Sequence, residues 1–491
     1  MQVLSITSEF FPLIKTGGLA DVAGALPAAL AAEPAAPAAQ QVRMRTLLPG
    51  YPKVLTGLKQ AEPIITVNDL FGGEAVLLSA KAPDGAQLIV IDAPHLYDRP
   101  GNPYLGPDGK DWPDNHFRFA ALSWIASRIG QGLIEGYRPD VIHGHDWQAA
   151  LTPVYLSSSA SPPATVVTIH NLAFQGVFPA TELRALKLPP STFTLDGLEY
   201  WGKISFLKGG LRYADHLTTV SPTYAREICT PDVGMGLDGV LRERRDALTG
   251  ITNGIDAAVW NPADDPDIEQ PFSSRTLKAK AINKTALQTR FNLVADVAAP
   301  LFCVVSRLTS QKGFDLLLEA LPTLLSHGGQ LAMLGSGDAT LEAAFTDVVR
   351  KNPGRIGAVF GYDEPLSHQM QAGADAILIP SRFEPCGLTQ LYGLRYGCLP
   401  IVARVGGLAD TVIDANQAAL TDGVATGFQF APDSAGALRT ALERAFDLYA
   451  DQRCWQQVQR RAMSRKVDWS VPAKAYADLY RKLAQASVRP A

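Results

Sequence analysis

A short apolar run that ends in a glycine or polar turn and then opens into helical sequence recurs along this chain, and that repeated order constrains the fold more than any other feature. Such runs are Val3 to Thr7, Asp140 to His143, Thr165 to Ile169 and His216 to Val220 in the first half. In the second half they are Leu301 to Val305, Gln330 to Leu334, Ile356 to Phe360, Ala376 to Ile379 and Leu399 to Ala403. Strand, turn and helix in this order predict an α/β protein with parallel sheets. The chain has 491 residues, and a hydrophobic core stops growing near roughly 250–300 residues, so two sheets fit the length. Between the halves, the turn signal Asn253-Gly-Ile-Asp256 precedes Trp260 to Asp267, where proline and charge suppress regular structure. A domain boundary is expected there. Prolines 34 and 37 likewise end the first helix, in an Ala/Pro-rich stretch from Ala31 to Gln41 that reads as a loop.

The formal charge of −4 gives no basic excess with which to release counterions from a nucleic acid, so none is expected as a partner. Cys229, Cys303, Cys386, Cys398 and Cys454 form no C-x-x-C pair, which argues against a disulfide framework and fits a reducing cytoplasm. The start, M-Q-V-L-S-I-T-S-E, has no positive segment ahead of an apolar one, and no run of about 18 apolar residues occurs, so neither secretion nor a membrane span is expected.

Three segments carry candidate chemistry. Lys15-Thr-Gly-Gly-Leu-Ala-Asp21 places Gly17 and Gly18 before a helix, where unpaired amides and the positive dipole end attract phosphate; the plainer reading is tight packing. The loop has neither G-K-[ST] nor G-x-G-x-x-G, so neither a P-loop hydrolase nor a dinucleotide oxidoreductase is supported. Ser306-Arg-Leu-Thr-Ser-Gln-Lys-Gly313 follows a predicted strand and sets Arg307 and Lys312 where open α/β sheets bind ligands, unless both are merely solvated. Two cations there would neutralise a diphosphate leaving group without a metal. Arg382-Phe-Glu-Pro-Cys-Gly-Leu-Thr-Gln390 again follows a strand, with Glu384 as a site carboxylate or a surface cap, and Cys386 as a site neighbour or a small buried hydrophobe. Asp265-Pro-Asp267 matches a D-x-D metal signature but is read as a solvated loop, and no metal site is expected.

These segments stand in a familiar order. K-T-G-G-L-A-D, H-D-W-Q-A-A, T-I-H-N-L-A-F-Q-G, S-R-L-T-S-Q-K-G, P-S-R-F-E-P-C-G-L-T-Q and V-G-G-L-A-D-T-V resemble, from residue 1 to about 480, glycosyltransferase family 5, which holds bacterial glycogen synthases and plant starch synthases. The resemblance implies a GT-B fold, two Rossmann-like domains with parallel sheets facing across a deep cleft. Residues 1–252 would form the acceptor-side domain, joined by a C-terminal helix at about 462–491, and residues 253–461 the donor-side domain. The implied reaction moves glucose from ADP-glucose to the non-reducing end of glycogen or another α-1,4-glucan, with retention and no cofactor.

Carried onto this sequence, the resemblance puts Lys15, Gly17 and Gly18 at the donor phosphates and Arg307 with Lys312 at the diphosphate. Tyr362 would lie near the adenine. His170, Asp146, Asn253 and Glu384 would hold the glucosyl ring, assisted by the backbone at Cys386, Gly387, Leu388 and Thr389. A retaining glycosidase would need two flanking carboxylates; the resemblance implies instead front-face transfer, with the departing phosphate helping to deprotonate the acceptor. Two departures stand out. Tyr392 occupies the position where many GT-B enzymes carry a second glutamate, and the Ala/Pro-rich stretch replaces a short turn. The alternatives are a glucosyltransferase using UDP-glucose, a GT-B sugar-nucleotide epimerase, and a silent glucan-binding protein, the last opposed by the joint presence of Lys15, His170, Arg307, Lys312 and Glu384.

Overall fold

The computed structural model describes residues 1–34 and 41–487, and the chain divides into two units, Met1–Asn253 with Trp469–Ala491, and Gly254–Asp468. The first unit carries β1 (Gln2–Ile6), β2 (Arg43–Pro49), β3 (Lys59–Val67), β4 (Ala75–Lys81), β5 (Gln87–Asp92), β6 (Val141–His145), β7 (Ala164–Ile169), β8 (Val177–Pro179), β9 (Glu199–Tyr200), β10 (Lys203–Ser205), β11 (His216–Thr219) and β12 (Leu248–Gly250). Nine of these make one sheet in the order β12-β11-β7-β6-β1-β2-β5-β4-β3, and β8, β10 and β9 make a small antiparallel one. In the large sheet the β3–β4 and β4–β5 pairings at one edge are antiparallel, while the other pairings are parallel. Pro63 sits in the edge strand β3, where its missing N–H costs least. β6 and β7 are buried throughout, as strands covered on both faces must be.

From β1 the chain passes through the helix Gly18–Ala32 to β2 on one side, and only much later supplies β6 on the other. The crevice outside the C-terminal ends of two such strands is the ligand position of open α/β sheets. The helix stops at Ala32, two residues before Pro34. Residues 35–40 of the Ala/Pro-rich stretch lie outside the described residues.

The last helix, Ser470–Ser487, belongs to the first unit and closes a core of its own. Ala473, Tyr476, Ala477 and Tyr480 pack with Val3, Val141, Val166, Leu26 and Leu30. Tyr480 Oη lies 2.7 Å from His143 Nδ1, and His143 Nε2 lies 2.5 Å from Thr168 Oγ1, so both ring nitrogens of this fully buried histidine are satisfied. Burial drives the His143 pKa well below the ordinary imidazole range, followed by repulsion from His145 and His170.

The second unit holds β13 (Leu301–Val305), β14 (Gln330–Gly335), β15 (Ile356–Phe360), β16 (Ala376–Ile379), β17 (Leu399–Ala403) and β18 (Phe428–Phe430), all parallel in the order β15-β14-β13-β16-β17-β18. Here β13 is the strand whose neighbours are reached in opposite directions. The loops after β13 and β16 consequently lie side by side, with the Arg382 amide donating to Gln311 O at 2.8 Å. Gly313 (φ +66°) comes so close that a Cβ there would lie 2.0 Å from Pro380 O. No helix among the described residues is long and apolar enough to cross a membrane.

One expectation is corrected. Trp260 to Asp267 does lack helix and strand, but it is not a solvated linker. Asp265 is 3% exposed and accepts hydrogen bonds from Tyr396 Oη and, at 2.8 Å, from His368 Nδ1. The Trp260 ring stacks between His368, at 3.8 Å, and Tyr392, at 3.6 Å between centroids. Prolines and charges suppress regular structure as expected, but the partners come from helices Glu364–Gly373 and Thr389–Tyr396, far along the chain. Burial pushes the Asp265 pKa up, yet the hydrogen bonds from His368 and Tyr396 outweigh it and hold the carboxyl below its usual range. Tyr392 is thus a packing residue on Trp260.

Tyr480→Phe is expected to leave His143 Nδ1 buried and unpaired, at a cost of about 1–3 kcal/mol. Thermal unfolding should show a melting temperature lowered by several degrees. An unchanged midpoint would mean that the Tyr480 bond contributes nothing net.

Candidate active site

In the first unit, three candidate elements leave the C-terminal ends of adjacent strands: the glycine loop after β1, Asp146 after β6 and His170 after β7. The glycine loop is organised by Glu9, 3% exposed. Its carboxylate accepts from the Thr16 amide, from Thr16 Oγ1 at 2.6 Å and from the Gly17 amide at 3.3 Å. Tyr104 Oη donates to the same carboxylate at 2.6 Å. Gly17 is the N-cap and supplies no side-chain cap, so beyond the Gly17 amide that Glu9 holds, the amides that open the helix have no cap side chain to take them. Lys15 reaches Asp21 Oδ1 at 2.9 Å and lies over the Phe11 ring. Its charge is therefore already partnered.

Asp146 adopts φ +56°, a left-handed conformation that few non-glycine residues hold without strain. The turn aims its carboxylate at the end of β7, where Oδ1 accepts from the His170 amide at 2.7 Å and the Asn171 amide at 3.4 Å. Burial pushes its pKa up to about 7, with the two amides pulling the other way. His170 Nε2 lies 3.0 Å from His145 Nδ1. Burial, then repulsion from His145, sets the His170 pKa well below the ordinary range, so the ring is neutral. Asn253, the last residue of the first unit, is 8% exposed, and its buried Oδ1 has no hydrogen-bond partner among the described residues. An orphaned acceptor of this kind costs about 1–3 kcal/mol unless a ligand supplies the donor.

In the second unit Lys312 and Glu384 meet. Lys312 Nζ forms an ion pair with Glu384 Oε2, and Ser381 Oγ donates to the same oxygen at 3.0 Å. Glu384 Oε1 has no hydrogen-bond partner among the described residues. Arg307, on the loop after β13, is exposed. The turn after Glu384 is held from behind by Gly406 and Gly407: a Cβ on Gly406 would lie 1.9 Å from Glu384 O, and one on Gly407 2.2 Å from Cys386 O. The Gly407 amide donates to Glu384 O at 3.1 Å. Gln390 Nε2 donates to Cys386 O and Gly387 O, and Gly387 takes φ +72° before the helix Thr389–Tyr396, whose N-cap is Leu388. Tyr362 is exposed beyond β15, its hydroxyl on Glu364 Oε2.

Residues 2–243 match the family model of the starch synthase catalytic domain, and residues 287–461 that of glycosyl transferases group 1. Over 484 residues the chain is 58% identical to a glycogen synthase of Rhodopseudomonas palustris, covering 98% of this chain and 99% of that one. A glycogen synthase of Methylocella silvestris is 56% identical over the same span, 98% of this chain and 99% of its own. The chain belongs to the glycogen synthase family. Among solved structures, the catalytic domain of starch synthase IV from Arabidopsis thaliana, bound to ADP and acarbose, is similar with a TM-score of 0.87 at 31% identity, over 98% of this chain and 99% of that one. A sucrose-phosphate synthase from Thermosynechococcus elongatus, at 18% identity and TM-score 0.59, shares the fold alone. The protein is accordingly a glycosyltransferase of GT-B fold with two Rossmann-like domains.

For this member of the glycogen synthase family, the structure gathers Gly17, Gly18, Asp146 and His170 at one edge of the first sheet, and Arg307, Lys312, Glu384 and the Cys386 to Thr389 turn at one edge of the second. Glu9, Tyr104, Ser381 and His145 escaped the sequence reading. Glu9 left a trace, a carboxylate breaking the apolar run of β1 just ahead of the glycines. Tyr104 left none, because its role exists only through a contact made across 95 positions.

The raised pKa of Asp146 has a stability consequence. Between the unfolded value near 3.8 and the folded value of about 7, the folded state binds a proton that the unfolded state has lost, so stability falls as pH rises through that window. Asp146→Asn removes the titration, and Asn tolerates left-handed backbone well. Its stability relative to the parent protein should increase from pH 4 to pH 7.5 in denaturant titrations, while transferase activity is lost. A difference that stays flat across that window would show that Asp146 titrates normally.

Proposed function

We propose that the protein transfers glucose from ADP-glucose to the non-reducing end of an α-1,4-glucan with retention, releasing ADP. The observation that carries this reading is the Lys312–Glu384 pair with Glu384 Oε1 left open: a cation suited to phosphate beside a carboxylate oxygen suited to sugar hydroxyls. The similarity to a starch synthase solved with ADP and acarbose supports the adenine nucleotide and the glucan. In this reading residues 253–461 bind the donor, and residues 1–252 with the C-terminal helix bind the acceptor. Arg307 and Lys312 neutralise the diphosphate, with Lys15, Gly17 and Gly18 beside the phosphates. Tyr362 lies by the adenine. Glu384, Asp146, His170 and Asn253 hold the glucosyl ring, with the Cys386, Gly387, Leu388 and Thr389 backbone beside it. Transfer proceeds on the front face, where positioning and preorganised charge lower the barrier. The five cysteines form no disulfide, which suits a cytoplasmic enzyme.

The deciding assay measures nucleoside diphosphate release with ADP-glucose and with UDP-glucose, each with and without glycogen. Glycogen-dependent release, faster from ADP-glucose, is expected. Preference for UDP-glucose would overturn the donor assignment, and release independent of glycogen would overturn the transfer reaction.

Metal independence follows from the same cations. Asp265, Asp267 and His368 bring ligand-type atoms within 4.8 Å of one another, but the Asp265 carboxylate is already taken by His368 and Tyr396. Excess EDTA should leave most activity intact. Complete loss reversed by magnesium or manganese would refute the metal-free reading.

Arg307→Ala should lower kcat by about 10²–10³-fold, the usual effect of removing one preorganised charge donor, with little change in glycogen affinity. Glu384→Gln keeps an acceptor for Lys312 and Ser381 while losing the charge, so kcat should fall at least about tenfold, roughly 1.4 kcal/mol, with the fold retained. Turnover near that of the parent protein in both variants would show them to be surface residues.

A further inference from the structure

His170 does not stand alone. Behind it runs a buried relay, from His170 Nε2 to His145 Nδ1 at 3.0 Å, and from His145 Nε2 to Ser5 Oγ at 3.2 Å. His145 is 0% and Ser5 1% exposed. The His170 amide is fixed separately by Asp146, so among the described residues only His145 makes a hydrogen bond to the His170 ring.

Two neutral imidazoles that share one hydrogen bond place one proton between the facing nitrogens, and the tautomer of one ring then dictates that of the other. Both rings are neutral, since burial pushes His145 down to about 3 and His170 well below its usual range. Only the position of the protons is left open.

Ser5 settles that position. Its hydroxyl has no hydrogen-bond partner among the described residues other than His145 Nε2, and a buried O–H without an acceptor is strongly disfavoured. Ser5 therefore donates to His145 Nε2. His145 then carries its proton on Nδ1 and donates it to His170 Nε2, which leaves the His170 proton on Nδ1. The neighbouring His143 ring, 4.2 Å away, does not compete, because its nitrogens are engaged by Tyr480 and Thr168.

We propose that Ser5 and His145 are positioning residues that hold His170 in its Nδ1–H tautomer, so that the ring offers a neutral N–H donor, and not a lone pair, to the transferring sugar. The proposal rests on the reading that His170 meets the glucosyl ring. The relay's direction stands on its own geometry, and the experiment reads the two separately.

The full-length protein labelled with ¹⁵N-histidine contains eight histidines, and the spectrum of His170→Gln identifies the His170 signals. In the parent protein His170 Nδ1 is expected to be protonated and Nε2 bare. Ser5→Ala removes the directing proton, so the His170 signals should move toward a mixture of tautomers. In the same variant kcat should fall at least about tenfold, about 1.4 kcal/mol, with the donor KM and melting temperature unchanged. Ser5→Thr, which keeps the hydroxyl, should restore both tautomer and rate; a structural defect alone would move the melting temperature and not the tautomer. A proton on Nε2 of His170 in the parent protein, or an unaltered tautomer in Ser5→Ala, overturns the relay. If the tautomer behaves as expected while His170→Gln keeps full turnover, the relay's direction survives, but its positioning role in transfer falls with the reading of His170 as a site residue.

Discussion

Parallel pairing sends every strand of a sheet toward the same edge, and the chemistry of this protein depends on that constraint. In each unit one strand, β1 or β13, has neighbours reached by connections that depart in opposite directions. The loops that follow these strands and their neighbours therefore converge instead of covering one another. Loops distant in sequence become adjacent: the glycine loop with Asp146 and His170 in one unit, and the Lys312 loop with the Glu384 turn in the other. Everything polar in the two sites hangs from that arrangement of apolar strands.

The loops are rigid because they are packed and hydrogen-bonded from behind. Glu9 fills the inner side of the glycine loop as an anion would, which shapes it while leaving the helix start open. Gly406 and Gly407 approach the Glu384 turn so closely that no side chain fits between them. The run Gly-Gly-Leu-Ala-Asp, which occurs twice in the chain, therefore stands in two different surroundings. At Gly17 and Gly18 it starts a helix without a side-chain cap, and at Gly406 and Gly407 it is a spacer that lets one backbone brace another.

Stability is given up at the same places. Asp146 combines left-handed backbone with a buried carboxyl whose pKa is raised to about 7, and Asn253 keeps a buried oxygen without a partner. His145 and His170 are held neutral by burial. Features that oppose folding gather where the rest of the unit is rigid enough to impose them.

Alternation of apolar run, turn and helix determined the α/β class and the parallel sheets, because burial on both faces leaves its mark in each strand separately. The motifs around Gly17, His170, Lys312 and Glu384 were legible for the same reason, since each is a local run of residue types at a strand's end. Contacts between distant segments decided the remainder. Asp265 read as a solvated carboxylate because proline and charge were its only neighbours in sequence, and it became a buried acceptor once His368 and Tyr396 were folded against it. Glu9 and Tyr104 act through one bond made 95 positions apart, and the direction of the relay behind His170 depends on a serine 165 positions earlier in the chain. A sequence states what each side chain can donate or accept, whereas only the tertiary structure decides which groups lose water and which partner replaces it.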